Sequence, residues 1–293
     1  MTRVAVVAHA GKSVGGGLVE LRRVLEEAGV ADPLWYEVPK SRKAPKQVKR
    51  ALDEGAELIF AWGGDGTVQR CIDVLAGTKV PLAIVPAGTA NLLATNLGIP
   101  NDIAEAVETG LRGARRAIDV GRLNGERFGV MAGAGLDAAM IRDADAGLKD
   151  RVGRIAYVWT GARNVTSKPF KAKIRVDGST WFDDKTSCVL VGNVGSLFGG
   201  VEAFDDARPD DGMLELGVVT AESPMDWART IARTAVGTTA KSPFVQVTRA
   251  RHIEVTMSKK VLYELDGGDR EKVKSFEIEV EPGAIELCVP VAS

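Results

Sequence analysis

Hydrophobic and polar positions change rhythm near residue 122. Before it, short apolar runs alternate with stretches of helical period. Residues 4–8 are a β-branched run, and residues 18–28 carry Leu18, Leu21, Val24, Leu25 and Ala28 on one helical face that stops at Gly29. Residues 58–62 form a second apolar run, followed by a glycine turn and a helical stretch to Leu75 that Gly77 closes. Residues 80–85 repeat the plan, with a helix over 90–97 ended by Gly98 and Pro100. Strand, turn, helix, strand predicts a parallel sheet with helices on its faces.

After residue 122 the apolar positions recur every second residue. Lys171-Ala-Lys-Ile-Arg-Val-Asp177 alternates, as do residues 252–257 and 277–281. Such strands bury one face and wet the other, as antiparallel sheets do. Two helices are expected among them, one over 136–165, the other starting at Ser223-Pro224, an N-cap followed by an N1 proline, and running to about residue 240. The expected fold class is therefore an α/β N-terminal domain with a parallel sheet plus a β-rich, antiparallel, sandwich-like second domain. The boundaries are 1–122 and 123–293, with the last strand free to return to the first domain; 293 residues suffice for two domains of about 100–200 residues each.

Charge removes one class of partner: 38 Lys+Arg against 39 Asp+Glu leaves a net charge of -1, without the basic excess of a nucleic-acid binder. No window approaches 18 apolar residues, and the N-terminal run reads as a strand and not a signal peptide, so a cytoplasmic, soluble chain is expected. Cys71, Cys188 and Cys288 fit no metal spacing and read as buried reduced thiols; His9 and His252 have no companion ligands for zinc. The 33 glycines exceed the roughly 20 expected from a usual ~7% share, which points to tight turns or close ligand approach.

Two glycine segments spell motifs only superficially. Gly11-Lys12-Ser13 lacks the P-loop's leading glycine, since Val6 stands there, and Gly133-Ala-Gly-Leu-Asp-Ala138 has no acidic ribose contact about 20 residues on. Gly63-Gly64-Asp65-Gly66-Thr67 is different. It lies between an apolar strand and a helix, where backbone N–H groups and the helix dipole favour a phosphate. An aspartate there repels phosphate unless it faces magnesium, which suits Mg-nucleotide chemistry. Pro86-Ala-Gly-Thr-Ala-Asn91 repeats the arrangement, so Asp65, Thr67, Gly88, Thr89 and Asn91 are expected to converge on one crevice at the carboxyl edge of the sheet.

GGDGT followed by PAGTANLLATNLGIP resembles the diacylglycerol-kinase catalytic family, specifically its soluble bacterial lipid kinases. The resemblance continues through Ile118-Asp-Val-Gly, Ala132-Gly-Ala-Gly-Leu-Asp-Ala138, Pro209-Asp-Asp-Gly-Met-Leu214, Leu265-Asp-Gly267 and Glu281-Pro-Gly-Ala284, nearly the whole chain. GGDGT also occurs in NAD kinases, whose fold the resemblance shares. It implies an ATP site at the GGDGT crevice and a lipid entering between the domains. Asp65, Gly66, Thr67, Val68 and Gln69, with Thr89, fall where the family holds nucleotide phosphates, and Gly63, Gly64, Gly88 and Asn91 complete the candidate set. Arg208, Asp211 and Met213 fall where the family binds a structural magnesium, the outer two through main-chain carbonyls. Asp210-Asp211-Gly212 is a tight acidic turn able to present hard oxygens.

Three departures stand out. The strand at the N-terminus exits into His9-Ala-Gly-Lys-Ser-Val-Gly-Gly-Gly17 where the family has Asn-Pro-x-Ser-Gly, and GGDGT leads to Gln69-Arg70 where Asn-Glu is common. The family's late Asp-Gly-Glu, whose glutamate accepts the proton, reads Asp266-Gly267-Gly268. Asp266 is then the leading base, with Asp269 second, and Glu264 shares Asp266's side of an extended segment. The expected activity is ATP- and Mg2+-dependent phosphorylation of a lipid hydroxyl, diacylglycerol to phosphatidic acid first, with Asp65 as charge-neutralising catalytic group. A silent nucleotide- or lipid-binding regulator and an NAD kinase-like enzyme are the alternatives.

Residues 149–173 carry Lys149, Arg151, Arg154, Arg163, Lys168, Lys171 and Lys173 against Asp150, with Tyr157 and Trp159 among them. They suit either peripheral docking on an anionic membrane or a solvated face. Residues 40–50 hold six basic groups and no acid and can flank ATP phosphates. Leu92, Leu93 and Leu97 are either a lipid path or core. Expected partners are thus a lipid at a membrane surface and no nucleic acid, with a homodimer left open.

Overall fold

A computed structural model describes residues 2–135, 169–197, 201–234 and 242–291. The chain divides into two compact units, Met1–Ile118 with Gly283–Ser293, and Asp119–Pro282.

The first unit runs β1 (Val4–His9), α1 (Gly17–Glu27), β2 (Leu34–Val38), α2 (Ala44–Asp53), β3 (Leu58–Gly63), α3 (Asp65–Leu75), β4 (Leu82–Pro86), α4 (Leu92–Asn96) and α5 (Ile103–Arg112), with 3-10 turns at Val14–Gly16 and Ser41–Lys43. The strands pair in parallel in the order β4-β3-β1-β2. Leu287, near the end of the chain, pairs with Leu82 in parallel on the far side of β4. β3 is buried along its whole length, as a central parallel strand covered on both faces must be. Leu21, Leu25, Phe60, Trp62, Val85 and Val107 share its core. The chain steps outward from β1 to β2, then returns past β1 to β3. The winding direction reverses between β1 and β3, and open parallel sheets form ligand crevices at the carboxyl ends of strands at such a reversal.

In the second unit β5 (Ala114–Leu123), which starts in the first, precedes β6 (Glu126–Phe128), β7 (Met131–Ala134), β8 (Phe170–Val176), β9 (Ser179–Thr186), β10 (Cys188–Gly192), β11 (Ser196–Leu197), β12 (Val201–Glu202) and β13 (Leu214–Val219). There follow α6 (Pro224–Thr234), β14 (Val245–Ala250), β15 (His252–Leu265) and β16 (Gly268–Val289), whose last residues belong to the first unit. The pairs β14-β13-β10-β7-β15-β16 are antiparallel, and β15 also pairs with β8, which pairs with β9. β8 alternates buried and exposed residues, burying Phe170, Ala172 and Ile174, as its period predicts.

The α/β and β-rich halves match the rhythm of the sequence. The helix expected over 136–165 lies outside the described residues. α6 begins where Ser223 predicts, with Ser223 and Asp226 capping reciprocally: Ser223 Oγ lies 2.6 Å from the Asp226 carboxylate and accepts the Asp226 N–H at 3.2 Å. α4 starts later than the pattern predicts, because Asn91 takes a left-handed conformation (φ 49°) that delays it. All three cysteines are buried and unbridged, and burial pushes the Cys71 thiol up to about 12. Among the described residues no helix is long and apolar enough to cross a membrane.

α5 packs closely on the sheet at Gly110, where an added Cβ would sit 2.3 Å from the Phe60 ring and 2.8 Å from Ala83. Gly110→Ala therefore gains about 1 kcal/mol of helix propensity but overpacks the core by roughly 1–3 kcal/mol. The denaturation midpoint should fall with an unchanged slope in chemical unfolding; a raised midpoint would show that α5 yields freely.

Candidate functional site

The GGDGT turn joins β3 to α3, and the PAGTAN turn joins β4 to α4. They touch backbone to backbone. A Cβ on Gly88 would lie 2.4 Å from the Gly64 Cα, and one on Gly64 would lie 2.9 Å from the Gly88 Cα. Gly63 is needed for a second reason, because its Cβ would strike the Thr67 side chain at 2.5 Å. Asn91 closes its own turn, accepting the Gly88 N–H at 2.8 Å and donating to the Gly88 carbonyl at 3.1 Å. Gly64, Asp65, Gly88 and Asn91 are thus brought together, as the tandem turns predict.

Gly66 differs from its neighbours. A Cβ there would meet only Ser41 Oγ, at 3.9 Å, so protein packing does not require the glycine. Its bare backbone faces open space at the start of α3. Gly64 offers this helix no side-chain cap, and the N–H groups of Thr67 and Val68 both close on the Gly64 carbonyl, at 2.8 and 3.1 Å. The Gly66 N–H is left without a partner among the described residues, a donor at the positive end of a helix. On the second turn Thr89 is exposed, its hydroxyl engaged by no described residue. Val68 and Gln69, by contrast, are buried on α3. Thr67 is also buried, its hydroxyl 2.9 Å from that of Ser41 in the turn after β2.

The Asp65 carboxylate points across the crevice and accepts the Leu93 N–H at the start of α4 at 3.3 Å. Burial raises its pKa from the ordinary carboxylate value, against the opposing pull of the amides of Leu93, Leu92 and Asn91. Asp65 therefore links the two turns as well as supplying a charge to the crevice.

In the second unit Asp266 and Gly267 form the two-residue hairpin turn between β15 and β16. Both have positive φ, 45° and 74°, as a type I′ turn demands, and Leu265 pairs with Gly268 across it. The buried Asp266 carboxylate accepts three backbone N–H groups, from Gly129 (2.8 Å), Val130 (2.9 Å) and Met131 (2.8 Å). Its observed work is to clamp the segment before β7. Glu264 is buried two residues earlier, while Asp269, its cross-strand neighbour, is exposed, with a carboxylate that no described residue engages. Gly268 sits under Arg270, which donates to the Gly268 carbonyl at 2.8 Å and forks onto Glu126. A Cβ on Gly268 would come 2.7 Å from that guanidinium.

The acidic turn at 209–213 is held by Asp119, whose carboxylate accepts the Gly212 N–H at 2.6 Å and whose own N–H donates to the Pro209 carbonyl at 2.7 Å. Asp211 accepts the Met213 N–H at 3.0 Å and pairs with Arg249, which also lies 2.9 Å from the buried Glu215. Burial raises the Glu215 pKa, Arg249 lowers it, and Asp211 and Asp206 raise it further. Arg249 thus already engages the carboxylates of Asp211 and Glu215, and the turn's remaining hard donors are the acid Asp210 and its main-chain carbonyls. Arg208 is exposed and Met213 half-buried, both on the turn.

Of the basic stretch at 149–173, only 169–173 are among the described residues, and there Lys171 pairs with Asp183 at 3.2 Å. Leu92, Leu93 and Leu97 are buried core and not an open path. Sequence reasoning assigned no role to Ser41, Asp119 or the Arg270–Glu126 pair. Asp119 carried a signal, an acid inside the apolar Ile118-Asp-Val120 strand; Ser41 carried none.

Residues 3–123 match the family described as diacylglycerol kinase catalytic domain, and residues 130–289 match the YegS C-terminal NAD kinase beta sandwich-like domain. The chain is 31% identical over 228 residues to a diacylglycerol kinase of Bacillus subtilis (strain 168), covering 76% of this chain and 75% of the relative. It is 30% identical over 260 residues to a probable lipid kinase YegS-like protein of Stenotrophomonas maltophilia (strain K279a), covering 84% and 83%. A crystal structure of a putative diacylglycerol kinase from Bacillus anthracis str. Sterne superposes with a TM-score of 0.80 at 25% identity, over 98% of this chain and 95% of that one. An Archaeoglobus fulgidus NAD kinase shares the fold at a TM-score of 0.54 and 14% identity, over 98% and 93%.

The Asp65 environment predicts a pH effect with a definite sign. A folded-state pKa raised above the unfolded value keeps the proton on the folded form, so this group's contribution to stability falls as pH rises above its ordinary value near 3.8. Asp65→Asn lacks that titration. Its stability relative to the parent should climb as pH rises above the ordinary carboxylate value in urea unfolding, and a difference that stays flat would show the carboxyl to be unperturbed.

Proposed function

The chain belongs to the diacylglycerol kinase catalytic family, and from that premise we propose that it is an ATP- and Mg2+-dependent lipid kinase converting diacylglycerol to phosphatidic acid. The observation that carries this reading is the pair of glycine turns at the carboxyl ends of β3 and β4, next to the β1/β3 reversal, with the Gly66 N–H and the Thr89 hydroxyl unengaged among the described residues. That is a phosphate cradle on a parallel sheet.

Phosphoryl transfer asks the protein mainly for positioning and charge neutralisation. The Gly66 amide and the start of α3 orient the donor phosphates. Asp65, already directed into the crevice, holds the cation that accompanies them, and Asp211 with the carbonyls of Arg208 and Met213 holds a structural one. Bound Mg2+ supplies charge neutralisation on the transferring phosphoryl group. The acceptor hydroxyl gives its proton to a carboxylate as its oxygen bonds to phosphorus and ADP leaves. The sequence puts Asp266 first and Asp269 second as the base, but Asp266 spends its oxygens on three amides, so we assign proton acceptance to Asp269 and the positioning of the hairpin to Asp266.

A silent regulator is favoured by one observation only, the Arg270 guanidinium lying over Gly268 where the family carries its glutamate. Labelled-ATP assays against diacylglycerol, a sphingoid base and NAD separate the readings. Transfer to diacylglycerol is expected; nucleotide binding without any transfer would favour the regulator, and transfer to NAD the NAD kinase-like enzyme.

Asp269→Asn should lower kcat by about 10²–10⁴-fold with an unchanged melting temperature. Asp266→Asn should instead destabilise the fold, by roughly 1–3 kcal/mol for each amide left without its acceptor. If Asp266→Asn folds normally and alone loses turnover, the two roles are reversed.

Mg2+ without nucleotide should raise the melting temperature of the parent chain, and chelation should reverse the rise. Asp211→Asn should remove that response. A full Mg2+ shift in this variant would move the structural cation elsewhere.

A further inference from the structure

Period two sets a row of glutamates on one face of the β15–β16 hairpin. His252 is the cross-strand partner of Glu279, and Glu254 that of Glu277, so these four side chains leave the sheet on the same side, with Glu281 next along β16. Like charges directly opposite one another cost stability, and Glu254 and Glu277 stand so. Arginines relieve most of the row. Arg175 pairs with Glu254 at 3.1 Å, and Arg122 reaches Glu279 at 2.6 Å and Glu281 at 2.9 Å. Glu277 has no arginine or lysine partner among the described residues; its carboxylate lies 2.6 Å from His252 Nε2. On the other side of the ring Glu254 lies 4.0 Å from Nδ1, and a carboxylate behind the imidazole is what commonly orients a metal-binding histidine.

One ligating atom from each of His252, Glu277 and Glu279 lies within 4.8 Å of the other two. Ligands of a tetrahedral zinc ion, at about 2.0–2.2 Å from the metal, stand roughly 3.3–3.5 Å apart, so a small side-chain adjustment closes the set. The backbone is already held. Asp177, in the turn between β8 and β9, accepts the His252 N–H at 2.9 Å and donates its own N–H to the His252 carbonyl at 2.9 Å. Asn124, in the turn between β5 and β6, does the same for Glu277, at 3.2 and 3.1 Å. A carboxylate has two oxygens, so Glu279 can keep Arg122 on one and give the other to a metal. One imidazole among carboxylates suits a borderline transition cation better than Mg2+, which takes oxygen ligands and gives up its waters reluctantly. We propose that His252, Glu277 and Glu279 form a site for a zinc-class divalent cation that ties β15 to β16, with water completing the tetrahedron. Sequence spacing hid it, because the first companion of His252 stands on the next strand, 25 residues on. The site lies at the end of the hairpin away from the Asp266-Gly267 turn and is independent of the kinase reading.

Equilibrium dialysis of the full chain against Zn2+, with Mg2+ in large excess to fill hard-oxygen sites, tests this. The parent should retain one Zn2+ per chain, and Co2+ in its place should give the visible absorption of a tetrahedral nitrogen–oxygen site. Glu277 is exposed and His252 half-buried, so His252→Ala and Glu277→Gln should both fold, with the parent's melting temperature in chelator. Each should lower Zn2+ affinity by at least about tenfold, since even groups that only orient a metal ligand are worth that much. A parent that retains no Zn2+ overturns the site, and so does an affinity that neither substitution changes. Loss of the Zn2+ in Asp211→Asn also overturns it, because the metal would then sit at the 209–213 turn. Turnover of both variants in the labelled-ATP assay should equal the parent's. No outcome of the dialysis bears on the kinase reading, because the proposed transfer uses neither His252 nor Glu277.

Discussion

The first unit's site depends on one contact, the backbone of Gly64 against the backbone of Gly88. Two βα turns can approach this closely only if neither carries a side chain, since a methyl on Gly88 would lie 2.4 Å from the Gly64 Cα. The contact fixes what surrounds it. Asn91 must turn left-handed to close the second turn, which delays α4 and aims that helix's first amides back at Asp65. Asp65 can then cap the neighbouring helix in place of its own, so the start of α3 keeps its Gly66 donor. A side chain at either glycine would separate the turns and remove the crevice along with the contact.

The chain's period revealed the turns because each strand and helix there is signalled locally, by an apolar run or by glycine at a stop. It did not reveal Ser41, whose partner Thr67 lies 26 residues away and becomes its neighbour only through the strand order β4-β3-β1-β2. Sheet order is a tertiary fact that local rhythm does not encode. The same limit explains the acids. Asp-Gly between two alternating runs is legible as a hairpin turn, but whether its carboxylate faces chemistry or backbone depends on where Gly129, Val130 and Met131 come to lie, some 135 residues earlier. The rhythm left α5 unassigned, and Asp102 caps the Ala104 and Glu105 amides at its start.

The hairpin of the second unit shows how one substitution redistributes roles. With glycine at 268, the space over the turn goes to Arg270, anchored on Glu126 and on the Gly268 carbonyl. Glu126 raises the Arg270 pKa first of all, so the guanidinium stays charged and the pair is fixed. A positive group now stands where a proton acceptor would be sought. It can stabilise a nearby carboxylate or a developing negative charge, but it cannot take a proton, which is why the proposed base is the exposed acid of the turn.

Two electrostatic costs of the first unit lie at or next to the glycine turn after β3. Asp65 carries a carboxyl that burial drives toward its neutral form, and residues 40–43 carry cations without carboxylate partners among the described residues, linked to the same turn by the Ser41–Thr67 contact. The amides of Leu93, Leu92 and Asn91 offset only part of the cost at Asp65. The two costs have opposite sign and ask for opposite charges, a cation at the carboxylate and an anion at the basic turn. A magnesium–polyphosphate complex is a single ligand that offers both. On the proposed kinase reading, the stability forgone at these groups is recovered when the nucleotide binds.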